Sequence, residues 1–530
     1  MGRSRRPPKR VTTTGQQGFS FCTELAPETG PQPLGDDRFK DDDPSHIFLG
    51  DKRLDVVLRE AGMEWVLRLR RVLGRLDYSW LTMRYSARGR QGFHPRTVLG
   101  LLLYGLFVRQ IALRSLERLS AVDIGAWWVC GGHRMDHSTI GKFVQLHEAA
   151  LSEEFFAAVA GWVVRQLGLA PGLSSIDGTV VESAGSHWRA IKAEAARLQA
   201  AEAQAQATAA PADEEVQAAA RAAAAVALAA EQRCAQRAAQ GKSTETVAVV
   251  PSDPAAVIQP RKDGAMRPGY KAATLMHEAG VILGQHVHPS SETAAVAPLL
   301  EQHDALFATP PPTLLLDGGF HNGSLLGELA EQGIDVLCPS GKAMGDDDWE
   351  KRGRKGLFAK SAFAYDEARD AYGCPGGQWL TYTDRGRDGQ GREYRRYRSA
   401  ACAACSLRVR CTGSAQGRRV KRYAGEEYKE AMALVLQQPR ARAVYGRRMV
   451  IAERVHAELR ERLGLRRFHR RGLGAVRAEF ALYCIAFNLR RALHDPAVLV
   501  VFVLVWSPAA DAPRAAAICV IGAMQLISPR

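Results

Sequence analysis

Residues 173–185 read LSSIDGTVVESAG and residues 311–320 read PPTLLLDGGF, and these two stretches decide the predicted fold. Each is a short apolar run of strand length, and each carries an aspartate, Asp177 or Asp317, with glycine directly after it. A glycine there lets the backbone turn sharply and leaves the carboxylate open to a ligand. The sequence therefore predicts two strands that present carboxylates where they end, although a strand-end aspartate taken singly is often only a turn former.

Further apolar runs alternate with helical patterns around these two strands. Residues 277–289, HEAGVILGQHVHP, read as another strand, and a helix is expected over 293–303. Helix-prone segments follow over 426–463 and 476–493. This alternation is typical of an α/β domain.

The chain before the first of these strands has a different pattern. From residue 53 to about residue 169, apolar residues recur at helical spacing. Asp136 predicts the cap of an amphipathic helix with Lys142, Gln145 and His147 on its polar side. Such a helix could enter a DNA groove, so we expect an all-helical, DNA-binding unit.

Two stretches interrupt the α/β pattern. Residues 189–250 are rich in Ala, Glu and Gln, and they predict a helical hairpin. Residues 346–425 carry charge, Gly, Tyr and four of the ten cysteines, but little continuous apolar sequence. We expect both to be insertions in the α/β core.

Composition limits the partners and the compartment. The 71 Lys and Arg against 56 Asp and Glu give a net charge of +15, which favours a polyanionic partner such as nucleic acid over an acidic small substrate. A basic protein with no such partner remains the alternative. Ten cysteines in 530 residues are too sparse for a disulfide scaffold, so a reducing cytosol is expected. No secretory signal is seen at the N-terminus, and the apolar run Ala497–Trp506 is only about half the length needed to cross a bilayer.

A third acid, Glu453, lies in a helix-prone, arginine-rich run. Taken alone, Glu453 would be interpreted as a solvated charge on a helix. Together with Asp177 and Asp317 it would supply oxygen ligands for hard divalent cations such as Mg²⁺ or Mn²⁺. Two such cations about 4 Å apart can hold the attacking and leaving oxygens of a phosphodiester. The three acids therefore predict phosphoryl-transfer chemistry.

Ordered motifs over residues 45–493 carry a family resemblance. They are GFHPRTVLGLLLYGLFVRQIALRSLERL (92–119), MDHSTIGKF (135–143), SSIDGTVVESAGS (174–186), PGYKAATLMHEAGVILGQHV (268–287), LLLDGGFHN (314–322) and the run from Tyr445 to Leu493. In these motifs the chain resembles the DDE transposases of bacterial insertion sequences, in the group with a helical domain before a ribonuclease H-like core. The resemblance places Asp177, Asp317 and Glu453 at the three catalytic, metal-binding positions.

The resemblance implies a mechanism and partners. Metal-activated water would cut the element's end, and the freed 3′-hydroxyl would then attack target DNA without a protein nucleophile. Asp177 would bridge two cations, Asp317 would hold one and Glu453 the other. The expected partners are double-stranded DNA, as terminal inverted repeats and target, and a second copy of the chain in a homodimer. The expected location is the bacterial cytoplasm, at the nucleoid, with no membrane association.

The residues around Glu453 differ from those of some members of the family. Those relatives carry Tyr, Arg, Glu and Lys at set spacings. Here Tyr445 and Arg448 precede Glu453, and Arg460 stands where Lys is frequent. Arginine can grip a phosphate through two hydrogen bonds, so Arg460 remains a candidate DNA contact beside Tyr445 and Arg448. Lys142 and Gln145 are the candidates in the helical unit.

Cys374, Cys402, Cys405 and Cys411 are candidate ligands of a structural zinc ion. C-x2-C is a usual zinc knuckle, but a full site normally shows a second close pair, which is missing here. The alternative is a set of reduced, partly buried thiols.

The predicted divisions, in chain order, are a disordered leader (1–45), a helical DNA-binding domain (46–170), a first core part (171–345, with the helical insertion 189–250), a Cys-containing insertion (346–425), a second core part (426–495) and an apolar tail (496–530). Three functional alternatives stay open at this point. They are a domesticated or inactive DNA-binding derivative, a ribonuclease H-like nuclease without strand transfer, and a zinc-dependent interaction module.

Overall fold

The computed structural model describes residues 33–86, 88–261, 264–340, 357–388 and 391–494. The predicted tail 496–530 and residues 1–32 of the predicted leader lie outside the described residues.

The helices are distributed along the whole described chain. In chain order they are α1 (Leu54–Glu60), α2 (Glu64–Leu73), α3 (Ser79–Thr82), α4 (Pro95–Phe107), α5 (Leu113–Val122), α6 (Ile124–Cys130), α7 (His137–Leu146), α8 (Glu148–Ala150), α9 (Phe156–Gln166), α10 (Ala193–Ala209), α11 (Glu214–Ala239), α12 (Val296–Phe307), α13 (Gly323–Glu331), α14 (Arg408–Cys411), α15 (Glu426–Val435), α16 (Pro439–Arg448), α17 (Arg454–Ala457) and α18 (Leu473–His494). Three π turns continue them, at Leu151–Phe155, Met449–Glu453 and Glu458–Arg462.

The strands fall into two larger sheets and two small ribbons. In chain order they are β1 (Phe48–Leu49), β2 (Lys52–Arg53), β3 (Leu173–Glu182), β4 (Ile191–Lys192), β5 (Ala248–Val249), β6 (Val257–Pro260), β7 (Met266–His277), β8 (Ile282–His288), β9 (Thr313–Leu316), β10 (Asp335–Leu337), β11 (Ala364–Asp366), β12 (Ala371–Gly373), β13 (Trp379–Arg387), β14 (Glu393–Arg398) and β15 (Arg419–Tyr423).

The central sheet has the order β10-β9-β3-β7-β6, and β8 also pairs with β7. β10, β9 and β3 run parallel, whereas β7 is antiparallel to β3 and to both β6 and β8. Helices flank this mixed sheet, which is the predicted α/β class. Within the described ranges, no helix combines the length and the apolar character needed to span a bilayer.

Helices α1–α9 precede the central sheet. The predicted cap of α7 is present, because the Asp136 side chain accepts a hydrogen bond from the Thr139 amide at 2.8 Å. Lys142 and Gln145 on α7 are exposed. His147, predicted on the same polar side, is instead fully buried against the rings of Tyr85 and Phe143, because α7 ends there and the backbone turns inward.

The last residues of the predicted leader pack on this helical unit. Asp42 is buried, and its carboxylate accepts hydrogen bonds from Arg96 at 2.8 Å and from the Thr97 hydroxyl at 2.7 Å. Arg70 completes the cluster, 2.9 Å from the same carboxylate. The described part of the leader is therefore tied to α2 and α4 by a buried acid with three partners.

One apolar core joins the helical unit to the central sheet. It runs from Val66 on α2 to Leu493 on α18, and α18 packs against β8, α9 and α4. Asn488, fully buried on α18, accepts the Ile282 amide at 2.9 Å and donates to the Ile282 carbonyl at 2.8 Å. This side chain thus satisfies the backbone of β8 at its irregular end.

The two insertions have separate small cores. α10 and α11 form an antiparallel hairpin whose core includes Ala196, Val226 and Val249. Strands β11–β15 form an antiparallel sheet, here called the sheet module, with its own core around Tyr372 and Tyr397. Neither stretch contributes to the core of the central sheet.

A close backbone contact returns the chain from the sheet module to the central sheet. Gly425 has a positive φ of 75°, and a Cβ added at Gly323 would lie 2.2 Å from its carbonyl oxygen. Only glycine permits this approach between the start of α15 and the start of α13. The contact sets α15 and the following α16 beside the strand that carries Asp317.

Candidate active site

Asp177 and Asp317 lie side by side. β3 pairs with β9 in parallel, and the last registered pair is Ile176 with Leu316, so the next residue of each strand is the predicted aspartate. Asp317 directly follows β9, as predicted, but the prediction that a strand also ends at Asp177 is wrong, because β3 continues to Glu182 in its pairing with β7. The parallel pairing therefore brings together two acids that are 140 residues apart in sequence.

Both carboxylates face one guanidinium. Nη2 of Arg448, at the end of α16, lies 3.0 Å from Asp177 Oδ1 and 4.0 Å from Asp317 Oδ2. The Arg448 and Asp177 side chains are 14% and 16% exposed, whereas Asp317 is 39% exposed, so the site is open on the Asp317 side. The two carboxylates therefore point toward one place, where a positive charge is stabilised.

Backbone amides fix the orientation of each carboxylate. Asp177 Oδ1 accepts the Gly178 amide at 3.0 Å, and Asp317 Oδ1 accepts the Gly319 amide at 2.7 Å. The Asp317 carboxylate also caps a 3-10 turn over Gly318–Phe320. These bonds leave the other oxygen of each carboxylate toward Arg448 and His456.

His456 is a neighbour of Asp177 that sequence reasoning missed. Its Nε2 lies 3.5 Å from Asp177 Oδ2, and the ring is buried. Arg448 and His456 are eight residues apart, whereas a regular α-helix repeats a face after seven. The π turn Met449–Glu453 adds one residue and so puts both side chains on the face toward β3. The only sequence signal was a histidine in the run of the third acid.

Glu453 ends this π turn, and its side chain is exposed. It lies in the helical run between Arg448 and His456, which both contact Asp177. Among the residues that the structure describes, no group of three or more Asp, Glu, His or Cys side chains is arranged so that it could hold a metal ion.

The remaining candidate residues lie at different distances from the two aspartates. Burial raises the pKa of Tyr445 to about 12, Arg448 opposes that shift, and Asp317 and Asp177 add to it. Tyr445 is therefore a neutral side chain beside the acids. Arg460 donates a hydrogen bond to the Thr179 hydroxyl, two residues beyond Asp177 on β3.

Lys142 and Gln145 are not part of this cluster. Gln145 lines a cavity of about 740 Å³ between the helical unit and the segment before α18, together with Arg114, His137 and Arg471. Lys142 is exposed on α7. Both side chains are open to a partner, but at a different place from the aspartates.

The four candidate zinc ligands lie in the sheet module. Cys374, Cys402, Cys405 and Cys411 are half-buried thiols, and none forms a disulfide. They are remote in sequence from the two aspartates and belong to a different sheet.

The fold and the site together define a class of protein, an α/β protein with two aspartates paired at adjacent parallel strands and a basic helix lying over them. Residues 373–493 match a family model described as a transposase DDE domain. Residues 373–493 are therefore similar to a transposase DDE domain, and the predicted resemblance to the DDE transposases is confirmed. Neither the curated proteins nor the solved structures contain a match to this chain.

Proposed function

We propose that this protein is the DDE transposase of a bacterial insertion sequence, which cleaves DNA at the element's ends and joins it to a target in a reaction that needs a divalent metal. The observation that carries the proposal is the adjacency of Asp177 and Asp317 on β3 and β9, with Arg448 over both. The matched region 373–493 includes Arg448 and Glu453 but not the two aspartates. The contacts of Arg448 with Asp177 and Asp317 connect the matched region to the two acids.

The carboxylate pair fits a hard divalent cation. Both acids already share one cationic group, so their oxygens converge on a position where a positive charge is stabilised. Asp177 and Asp317 would hold Mg²⁺ or Mn²⁺, and Glu453 would supply the third carboxylate from the helix. A bound cation would polarise the phosphodiester and lower the pKa of the attacking water or hydroxyl.

The other residues of the site would position the acids and the DNA. His456 and the Gly178 amide hold the Asp177 carboxylate in one orientation. Arg448 and Arg460 would contact phosphate oxygens, Arg460 from the position beside Thr179. Tyr445 would pack against sugar or base as a neutral ring.

The rest of the proposal concerns the architecture and the partners. The sheet order, with β7 antiparallel to β3 on one side and the parallel strands β9 and β10 on the other, supports a ribonuclease H-like core. Helices α1–α9 would form a DNA-binding domain that uses Lys142 and Gln145 on α7. The substrate would be terminal inverted repeats and target DNA, held by a homodimer in the bacterial cytoplasm at the nucleoid.

Strand cleavage and joining test the proposal directly. The substrate is a duplex that carries the inverted repeats flanking the gene, with Mg²⁺ or Mn²⁺, and the variants are Asp177→Asn, Asp317→Asn and Glu453→Gln. Each variant should bind the duplex as wild type does but cleave it at least about 10²-fold more slowly, the scale on which one lost charge-stabilising group acts. Asp335→Asn is the matched control, because Asp335 is exposed at the opposite end of the same parallel strands.

Three results would change the conclusion. Cleavage by the aspartate variants at the wild-type rate would remove Asp177 and Asp317 from the catalytic centre. Cleavage without joining would identify a nuclease. Binding of the repeats without cleavage under either metal would identify a DNA-binding derivative of a transposase.

A further inference from the structure

We propose that the sheet module binds one structural zinc ion, which stabilises it through the four thiolates of Cys374, Cys402, Cys405 and Cys411. The inference is independent of the reaction proposed for the aspartates, because it concerns a different sheet with a separate core. Its ligand class is a borderline-soft divalent cation held by four thiolates.

The fold gathers four thiols from three separate backbone segments. Cys374 directly follows β12, and Cys402 and Cys405 lie at a 3-10 turn that follows β14. Cys411 ends the short helix α14, just before β15. These pieces meet at one end of the sheet, although the first and last cysteine are separated by β13 and β14.

Distances measured from two glycine positions show that the sulfur atoms lie close together. A Cβ added at Gly376 would lie 3.5 Å from Cys405 Sγ and 3.7 Å from Cys374 Sγ, so these two sulfurs flank a single point. A Cβ added at Gly417 would lie 3.3 Å from Cys402 Sγ. The turn at Gly376 thus brings a third thiol, that of Cys374, beside the C-x2-C pair, which the spacing in the sequence did not show.

The turn after β12 has the hydrogen bonds of a thiolate knuckle. The Gln378 amide donates to Cys374 Sγ at 3.4 Å, the Cys374 amide donates to the Gln378 carbonyl at 2.9 Å, and the Gly377 amide donates to the Cys374 carbonyl at 2.9 Å. An amide directed at a sulfur stabilises its anionic form, which is the form that binds a metal.

Cys411 belongs to the same small cluster. Cys374 and Cys411 both pack against the apolar core of the sheet module. A zinc ion among the four sulfurs would hold them as thiolates.

The apolar core of the sheet module is small. It consists of six buried side chains, and a module of this size normally needs an added crosslink or metal. The six are Phe358, Phe363, Tyr372, Leu380, Tyr397 and Val420. The thiols are not yet at ligand distances in the described part of the chain, so binding would draw the side chains inward by rotation about their χ1 angles.

Metal content is the first test, on the full chain purified without chelator. Wild type and the control Cys234→Ser should each retain about one zinc ion per chain after dialysis, whereas the double variant Cys402→Ser/Cys405→Ser should lose it. Cys234 is the matched control, because it is an equally half-buried thiol, but in the hairpin of α10 and α11. Cobalt in place of zinc should give thiolate-to-metal charge transfer and the intense visible bands of tetrahedral coordination.

Alkylation of the wild type keeps the test decisive if the double variant does not fold. The four module thiols should resist alkylation until a chelator is added, while Cys234 reacts in both conditions. Wild type that binds neither zinc nor cobalt would overturn the proposal, as would full zinc retention by a folded double variant. Thiols released by a reductant and not by a chelator would show disulfides instead.

Discussion

Arg448 balances the negative charge of the candidate active site. Its guanidinium is the partner of two adjacent carboxylates that would otherwise repel each other. The neighbouring Arg447 pairs instead with Glu278, outside the site, and is 54% exposed. Two consecutive arginines therefore have different roles, which makes them a matched pair for mutation.

Arg448→Gln should make thermal stability depend on divalent metal. Without metal, the two unpaired carboxylates should lower the free energy of unfolding by roughly 1–3 kcal/mol, less than for a fully buried pair because the site is partly open. Mg²⁺ should restore most of this loss by replacing the positive charge, so the rise of Tm on adding Mg²⁺ should be larger than in wild type or in Arg447→Gln. Equal Mg²⁺-induced shifts in both variants would contradict this role of Arg448.

His147 is a second residue with a measurable effect. Its ring is fully buried between Tyr85 and Phe143, and burial is the main reason that its pKa falls to about 4. Both ring nitrogens lack a hydrogen-bond partner in the described structure. The fold therefore favours the neutral imidazole.

The free energy of unfolding should consequently fall as the medium is acidified through the window between His147's two pKa values. The unfolded chain takes up the proton near pH 6.5, whereas the folded chain takes it up only near pH 4, so the loss of stability accumulates between them. Chemical denaturation followed by tryptophan fluorescence at pH 7 and pH 5 measures it. His147→Phe should flatten this part of the profile, and an unchanged slope in that variant would rule out His147 as its source.

At the scale of elements, α18 completes the edge of the central sheet through one side chain. The Asn488 side chain forms the two hydrogen bonds that a neighbouring strand would form with the amide and the carbonyl of Ile282, and both of these groups are buried. In the sequence this asparagine lies in the motif that runs from Tyr445 to Leu493. The structure shows that it stabilises the fold through its two hydrogen bonds to the backbone of β8.

Asn488→Ala should destabilise the core by about 1–3 kcal/mol for each of the two backbone groups left unsatisfied. Asn488→Asp keeps an acceptor for the Ile282 amide but faces the Ile282 carbonyl with a charge, so at neutral pH it should be at least as harmful. Acidification should relieve Asn488→Asp, since a protonated acid can donate to the carbonyl again, and should not relieve Asn488→Ala. Urea denaturation at pH 7 and pH 5 distinguishes the two, and identical pH profiles would contradict the assigned bonds.

Some elements could be predicted from the sequence and others could not, for identifiable reasons. The strands at Asp177 and Asp317 and the cap at Asp136 follow from local apolar runs and capping chemistry. Their adjacency does not, because it depends on parallel pairing between distant segments. His456 was missed because π turns change the helical repeat that a sequence argument assumes.

The sheet module was the least predictable element. Its strand β14 reads EYRRYR and is flanked by other charged strands, so it lacks the continuous or alternating apolar sequence that signals a strand. Arginines stacked on tyrosines provide contacts between strands instead, as Arg395 of β14 does over Tyr382 of β13 and Arg422 of β15 over Tyr365 of β11. Such pairs are formed across strands and leave no periodic trace along one strand.

At the scale of the whole molecule, the distribution of cores predicts which parts unfold together. The helical unit and the central sheet share a single core through α18, while the hairpin of α10 and α11 and the sheet module each have their own. Cooperative units follow continuous apolar contacts. The predicted border near residue 170 should therefore not be a border in stability.

Hydrogen exchange at increasing denaturant checks this arrangement. Amides of α4, β3 and α18 should lose protection together at the highest concentration, and those of α10, α11 and β14 should lose it earlier and independently. Loss of protection in α4 well before β3 would show that the helical unit is a separate domain. Exchange in β14 that matches β3 would show that the module is part of the main core.

The contact between Thr179 and Arg460 joins residues that are 281 positions apart. At a synthesis rate of about 5–20 residues per second, the ribosome needs roughly 15–55 s to add that intervening stretch. Asp177 is made before that interval begins and Asp317 near its middle, whereas Arg448 and Glu453 are made only shortly before its end. Each chain thus spends most of its own synthesis without the cation that pairs with the two aspartates, and a chain released before residue 448 never acquires it.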